Sequence, residues 1–92
     1  NDRLALMALQ FLANNDIPVP GHLSVAGFDD TIQALGSDLT SHNPNMRGIV
    51  DAMLNYFTAS RTPKSPAYRA PPLEVPGVVI ERRSLAPPRT TK

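Results

Sequence analysis

The fold is decided by a short apolar run that ends in two adjacent carboxylates, SVAGFDD at residues 24–30. The stretch from Leu23 to Phe28 is mostly apolar, which is typical of a strand buried on both faces of an α/β sheet. Asp29 and Asp30 follow at its carboxyl end, where ligands bind in open α/β sheets. Adjacent like charges cost energy unless water, a partner or a ligand meets them. Residues 24–30 therefore either lead into an ordinary loop or form one wall of a binding site.

The sequence on either side of this strand predicts two helices. Residues 3–13 contain neither Gly nor Pro, and Asn1 and Asp2 stand where an N-cap belongs. This first helix is apolar nearly all round, so it must bury one side on the sheet and the other against a second layer or a partner chain. A second, amphipathic helix has apolar residues at helical spacing: Met46, Ile49, Val50, Met53, Leu54 and Phe57. Its N-cap is either Asn43 or Asn45.

The remaining segments predict loops and short strands. Residues 31–45 and 60–72 are polar or proline-rich and predict loops, whereas residues 73–75 and 78–81 predict two short strands. The order helix, strand, helix, strand is that of an α/β protein. Two or three strands do not make a well-covered parallel sheet, so we expect further strands before Asn1 in a longer parent protein.

Composition narrows the classes of function. The chain has 92 residues, enough for one small domain, and its nine basic and eight acidic residues are mixed, so they form no basic stripe for nucleic acid. The absence of cysteine excludes disulfides and thiolate chemistry, and it fits a reducing cytoplasm without excluding a periplasm. No apolar run approaches the roughly 18 residues of a membrane span, so no membrane partner is expected.

The candidate chemistry centres on Asp29. A carboxylate there can accept hydrogen bonds from two neighbouring hydroxyls of a sugar, but it can equally cap a turn. Gly27 removes a side chain that would crowd a ligand, and Asp30 is expected to face solvent. His22 and His42 lack metal-ligand spacing, so both are expected on the surface or in loops, and no metal or cofactor is predicted.

Catalysis has little support in the sequence. An acid–base pair of Asp29 with His42 would need a nucleophile, and no motif marks one. A small hydrolase that uses Asp29 and Asp30 together is the weakest alternative. We therefore expect that the chain is not an enzyme.

Four segments together resemble the LacI/GalR family of bacterial transcription regulators: NDRLALMAL (1–9), IPVPGHLSVAGFDD (17–30), LTSHNPNMRGIVDAML (39–54) and LEVPGVVIERRSLAPP (73–88). The similarity covers essentially the whole chain and is interrupted mainly in the proline-rich loop. It implies an α/β fold, namely a partial type I periplasmic-binding-protein-like C-terminal subdomain with helices on a mostly parallel sheet. Residues 1–83 would then be the C-terminal portion of the effector-binding domain, and residues 84–92 a disordered tail.

The resemblance also implies roles for particular residues. Asn1 matches an asparagine that faces the sugar, Asp29 matches the aspartate that holds sugar hydroxyls, and Asn43 stands where a glutamine often lies near the ligand. Departures from the family pattern include Met7 in place of a glycine and His42 in place of an aliphatic residue. Family members pair through the first helix and the segment near residues 33–37. The implied homodimer interface contains Leu4, Met7, Phe11, Gln33 and Leu35.

The function implied by this resemblance is that of a cytoplasmic, sugar-responsive transcription regulator. Effector binding would close a cleft between two subdomains, and DNA would be contacted only by a helix-turn-helix upstream of this region. Since the chain supplies one wall of that cleft, we expect it to bind sugar weakly or not at all in isolation. The alternative is a periplasmic sugar-binding protein of an uptake system, although the GFDD and ERRSLAPP segments resemble regulators more closely.

Overall fold

A computed structural model describes residues 1–58 and 74–88, which fall into two units. The first unit comprises Asn1–Pro44 and Gly77–Lys92, and the second comprises Asn45–Pro76. The described residues form the following elements: α1 (Asp2–Asn14), β1 (Ala26–Phe28), α2 (Ile32–Gly36), β2 (Thr40–Asn43), α3 (Met46–Thr58) and β3 (Val78–Ile80). The fold is therefore α/β, as predicted. The predicted loop at 60–72, the start of the strand at Leu73 and the last tail residues, 89–92, lie outside the described residues.

The sheet of the first unit has the strand order β1-β2-β3. β1 and β2 are parallel, with Phe28 opposite His42, whereas β2 and β3 are antiparallel, with His42 opposite Val79. Because β1 and β2 run in the same direction, their carboxyl ends meet at one edge of the sheet. That edge carries the residues that follow Phe28 and Asn43.

The first helix forms where the sequence predicts it. The side-chain oxygen of Asn1 accepts a hydrogen bond from the backbone N–H of Leu4 at 3.0 Å, so Asn1 is the N-cap of α1. The core side of α1 places Ala5 with two buried residues, Ala34 and Leu39. Among the described residues of the first unit, none covers the opposite stripe, and its three large apolar residues are more than half exposed: Leu4 63%, Met7 62% and Phe11 64%. No helix in the described part of the chain has the length and apolar character needed to cross a membrane.

The predicted loop at residues 31–45 is wrong, because this segment contains α2 and β2. α2 begins after Thr31, whose hydroxyl accepts a hydrogen bond from the N–H of Ala34 at 3.2 Å. β2 has the sequence TSHN, which lacks aliphatic side chains, yet Thr40 and Ser41 are both buried. Their hydroxyls are satisfied by residues from distant parts of the chain, so a polar sequence forms a buried strand.

The ends of the other elements differ from the prediction in smaller ways. The described strand β1 spans three residues rather than the predicted 23–28. The side chain of Asn45 accepts a hydrogen bond from the N–H of Gly48 at 3.1 Å, so Asn45 is the cap of α3. Asn43, the other candidate for this cap, lies on β2. β3 lies within the predicted 78–81, whereas residues 74 and 75 form no strand.

The predicted tail boundary at residue 84 falls inside the unit that holds the sheet. Ser84 is buried; its hydroxyl donates to the carbonyl of Val25 at 2.6 Å and accepts from the N–H of Thr40 at 2.8 Å. The N–H of Val25 in turn donates to the carbonyl of Ser84 at 2.9 Å. Farther on, the N–H of Ala86 donates to the hydroxyl of Ser24 at 3.0 Å. These bonds tie residues 84 and 86 to the segments that form β1 and β2.

Candidate functional site

The carboxylate of Asp2 joins the start of α1 to the carboxyl edge of β1 and β2. Its side chain is buried, at 1% exposure. Oδ1 accepts from the Ser41 hydroxyl at 2.6 Å, and Oδ2 accepts from the N–H and hydroxyl of Thr31 at 2.7 and 2.9 Å. The backbone N–H of Phe28 also donates to this carboxylate. One side chain therefore fixes the helix N-terminus against both strand ends.

These donors keep Asp2 ionised in spite of its burial. Burial opposes the charged form, but the hydrogen bonds from Ser41, Thr31 and Phe28 outweigh it, and the pKa of Asp2 lies below its usual range. The position at the start of α1 adds to this, because the partial positive charge of a helix N-terminus favours an anion. Asp2 is thus a structural anion rather than a proton donor.

Gly27 provides the space that the Asp2 carboxylate occupies. A Cβ atom at residue 27 would overlap Oδ1 of Asp2 and would lie 3.0 Å from the side chain of Leu39. The glycine on this strand therefore makes room for a side chain of the same chain. The prediction that it makes room for a ligand is wrong in that respect.

The chain leaves β1 through two consecutive residues in the left-handed region, Asp29 with φ 110° and Asp30 with φ 51°. Residues other than glycine adopt this region rarely, and they do so where the surroundings impose it. The N–H of Asp29 donates to the carbonyl of His42 at 2.8 Å, and the N–H of Asp30 donates to the hydroxyl of Ser41 at 2.9 Å. The end of β2 therefore holds this turn in place.

The prediction that Asp30 faces solvent is wrong, because its carboxylate is held on both oxygens. Oδ1 forms a salt bridge of 2.7 Å with Nη2 of Arg82, and Oδ2 accepts from the side-chain amide of Asn43 at 3.0 Å. The guanidinium of Arg82 and the amide of Asn43 hold the pKa of Asp30 below its usual range. The carboxylate of Asp30 is therefore ionised and is held by the side chains of Arg82 and Asn43.

Asp29 differs from its neighbour, because its side chain is exposed and has no hydrogen-bond partner among residues 1–58 and 74–88. Asn1 is also exposed, and it lies beside Asp2 at the same edge of the sheet. Asn43 lies at the end of β2 and binds Asp30. The three residues predicted to bind an effector thus lie on neighbouring elements at one edge of the sheet. The side chain of Asn43 is hydrogen-bonded to Asp30, whereas that of Asp29 has no partner among the described residues.

His42 lies on β2, so the prediction of a surface or loop position is wrong. Its ring stacks on Phe28, with 4.5 Å between ring centroids and an interplanar angle of 19°. Its Nδ1 atom is buried and has no partner within the described part of the chain. A cluster of three or more His, Cys, Asp or Glu side chains that could hold a metal is absent from the described residues.

Three residues of the site were missed as functional by sequence reasoning. The sequence indicates Asp2 only as an acid in the first turn of a helix, a position typical of capping, and does not show that it is buried. Ser41 lies in a segment that was predicted to be a loop. Arg82 meets Asp30 across 52 positions of sequence, and no local pattern indicates that pairing.

The residues predicted to form a dimer interface lie on the surface of the first unit. Leu4, Met7 and Phe11 form the exposed stripe of α1, and Leu35 is exposed on α2. Gln33 lines an open groove of about 880 Å³ between α1, α2 and residues 16–19. All five are therefore available to a second chain.

The two structural carboxylates predict how stability depends on pH. The pKa values of Asp2 and Asp30 are lowered by folding, so their contribution is complete above the unfolded-state value of about 3.9 and is lost as the pH falls through the folded values. We expect the urea midpoint to be constant from about pH 7 to 5 and to fall below about pH 4. Urea unfolding at stepped pH values tests this, with Asp30→Asn expected to show a shallower fall. A midpoint unchanged at about pH 3 would contradict both assignments.

In open α/β sheets ligands bind at the carboxyl ends of the strands, and here that edge carries the start of α1 and the two carboxylates that follow β1. The family model for the periplasmic binding protein-like domain matches residues 1–85, and the chain belongs to this family. Neither a curated protein nor a solved structure matches the chain.

Proposed function

We propose that the chain is part of the sensor domain of a LacI/GalR-type transcription regulator and that its effector is a sugar. The observation that carries this proposal is the contrast between the two carboxylates at the end of β1. Asp30 forms a salt bridge with Arg82 and a hydrogen bond with Asn43. Asp29 is exposed, lies in a strained turn, and has no side-chain partner among the described residues. A charged acceptor that is held rigidly and left without a partner is suited to binding a ligand.

The chemistry of that position favours a polyol. A carboxylate has two oxygens and can accept hydrogen bonds from two adjacent hydroxyls, which is the pattern that a sugar presents. The exposed side chain of Asn1 lies at the same edge and offers both a donor and an acceptor, although its oxygen also caps α1. The proposed site therefore has a charged anchor and an amide beside it, as a neutral hydroxylated effector requires.

The proposed role is binding rather than catalysis. A pair of carboxylates acts in hydrolysis when the two differ in protonation and one can donate a proton. Arg82 and Asn43 keep Asp30 ionised, so it is a poor proton donor beside Asp29. This supports a non-enzymatic sensor.

The partners of the proposed regulator follow from its class and from the exposed surface. The stripe of Leu4, Met7 and Phe11 supports a homodimer, because monomeric proteins rarely expose a contiguous apolar patch without function. DNA would be contacted by a separate helix-turn-helix in the full-length protein, which would work in the cytoplasm. The near-neutral net charge of this chain agrees with DNA binding by a separate segment.

A periplasmic sugar-binding protein is the second candidate, because the same domain family supports it. The coding sequence upstream of Asn1 decides between the two. A helix-turn-helix segment there would establish the regulator. A secretory signal peptide without a DNA-binding segment would overturn it in favour of the transport protein.

Replacing Asp29 tests the proposed sugar-binding site directly. In the full-length protein, we expect Asp29→Asn to weaken sugar binding by about 10- to 100-fold, because a charged acceptor in a ligand contact contributes roughly 1.5–3 kcal/mol. Isothermal titration with D-glucose, D-galactose and D-ribose measures this. Asp16→Asn is the matched control, since Asp16 is also exposed and left-handed, with φ 57°. Equal affinities for wild type and Asp29→Asn would remove Asp29 from the site.

A further inference from the structure

The left-handed conformation of the turn after β1 must be stabilised by groups other than the Asp29 side chain. Two consecutive left-handed residues that are not glycine persist only when neighbouring groups fix both of them. The side chain of Asp29 has no partner in the described part of the chain, so it does not stabilise its own conformation. The forces that hold the turn therefore act on the backbone and on Asp30.

Asp30 is the most strongly restrained residue of the turn, because three of its atoms form hydrogen bonds. Its N–H donates to the Ser41 hydroxyl at 2.9 Å, and its two carboxylate oxygens bind Arg82 and Asn43 at 2.7 and 3.0 Å. Among these three contacts only the one with Arg82 joins two ionised groups, and at 2.7 Å it is also the shortest. Arg82 is therefore the principal restraint on the side chain of Asp30.

Arg82 is itself placed by contacts with the start of β2. Its Nη1 donates to the carbonyl of Leu39 at 2.7 Å, and its backbone N–H donates to the Thr40 hydroxyl at 2.8 Å. The side chain is only 12% exposed. One planar guanidinium thus connects a fixed carbonyl to the carboxylate of Asp30. A lysine ammonium, as a compact point charge, does not reproduce this two-armed geometry.

We propose that Arg82 is a positioning residue for ligand binding: by holding Asp30, it keeps Asp29 left-handed and sets where the Asp29 carboxylate lies. This inference rests on the proposed function for its assignment of Asp29 as the ligand-binding group. When Arg82 is replaced, Asp30 loses its ion pair and keeps only its hydrogen bonds with Ser41 and Asn43, and the backbone of Asp29 relaxes toward the extended region. The carboxylate then leaves the position that binds the ligand, although Asp29 itself is unchanged.

The conformation of the turn can be measured without any ligand. In the 92-residue chain, Arg82→Met and Arg82→Lys are expected to shift the backbone ¹³Cα and ¹⁵N resonances of Asp29 and Asp30 toward extended values. The matched controls are Arg83→Met and Arg83→Lys, because Arg83 is the adjacent arginine, is 91% exposed and lies 3.6 Å from Asp38. These controls are expected to leave both resonances unchanged. If Arg82→Met does not fold, Arg82→Lys, which keeps the charge, is the variant that decides.

The result that overturns positioning is a folded Arg82→Lys or Arg82→Met chain in which the Asp29 resonances stay at their wild-type values. Folding is judged from the resonances of α1, which lies away from Arg82 in the sequence. A purely structural role would move resonances throughout the first unit, whereas positioning moves those of the turn.

Ligand affinity provides the second measurement. In the full-length protein, titration with D-glucose, D-galactose and D-ribose is expected to show binding to Arg82→Lys about 10- to 100-fold weaker than to wild type. This is the size of the loss seen when the partners that orient metal ligands are removed. Arg83→Lys should bind as wild type does. Wild-type affinity in Arg82→Lys overturns the positioning role and leaves the sugar site standing. A wild-type protein that binds none of the three sugars overturns the sugar assignment, and the resonances of Asp29 then decide positioning alone.

Discussion

Asp2→Ala is expected to lower the free energy of unfolding by about 4 kcal/mol, because it leaves the buried Ser41 hydroxyl and the part-buried donors of Thr31 without an acceptor. The carboxylate receives hydrogen bonds from the Ser41 hydroxyl, from the N–H and hydroxyl of Thr31, and from the N–H of Phe28. Each buried donor left without a partner costs roughly 1–3 kcal/mol, and the costs are less than additive within one network. A domain of this size has only about 5–14 kcal/mol in total, so the variant should lose from about a third to most of its stability.

Urea unfolding followed by circular dichroism measures this loss. Asp51→Ala is the control, because Asp51 is an exposed aspartate within α3, and its replacement should change the free energy by no more than about 0.5 kcal/mol. Asp2→Asn should also destabilise the protein, since its amide group turns a donor toward donors. A loss below about 1 kcal/mol for Asp2→Ala would show that the network contributes little.

Gly27→Ala is expected to cost about 3 kcal/mol, because the added methyl group enters space that Asp2 fills. The new Cβ would overlap Oδ1 of Asp2 and would lie 3.2 Å from its Cα and 3.0 Å from Cδ2 of Leu39. A flexible side chain could move aside, but the Asp2 carboxylate is held by its donors and its Cα belongs to α1. The clash therefore displaces the start of the helix or breaks the hydrogen bonds.

Gly36→Ala is the matched control for this change. A Cβ at residue 36 would meet nothing within 4 Å, and Gly36 does not have a positive φ. Alanine should be neutral there, or stabilising by about 0.4–1 kcal/mol, through the lower entropy of the unfolded chain. The double variant Asp2→Ala/Gly27→Ala should cost less than the sum of the single variants, because removing the carboxylate also removes the clash. Additive costs would show that the two residues do not interact.

Local signals were sufficient to predict two of the three helices found in residues 1–58 and 74–88. The composition of residues 3–13 and the capping asparagine specify α1, and the spacing of apolar residues specifies α3. In both cases the deciding interactions join residues three or four positions apart. The end of β1 was also predictable, since an apolar run with turn residues after it has few other interpretations.

β2 and the role of Asp30 were not predictable in the same way. The four polar residues of β2 look like a loop until their distant partners are known, for example the carbonyl and N–H of Arg82, which bind the Thr40 hydroxyl. The sequence predicts a solvated Asp30, because the arginine that binds it lies 52 positions away. The sequence thus indicated Asp29 as a candidate ligand group or turn cap, but it did not indicate the residues that hold its neighbour.

The contacts of Ser84 set a condition on how the chain folds. This hydroxyl joins residues separated by 44 and 59 positions, so the first unit cannot complete its network until two distant segments meet. Loop closure over such distances is entropically costly and tends to slow folding. Before that step, α1 can form locally, whereas the buried polar strand lacks its partners. The polar groups that specify the native sheet therefore also place its completion late on the folding pathway.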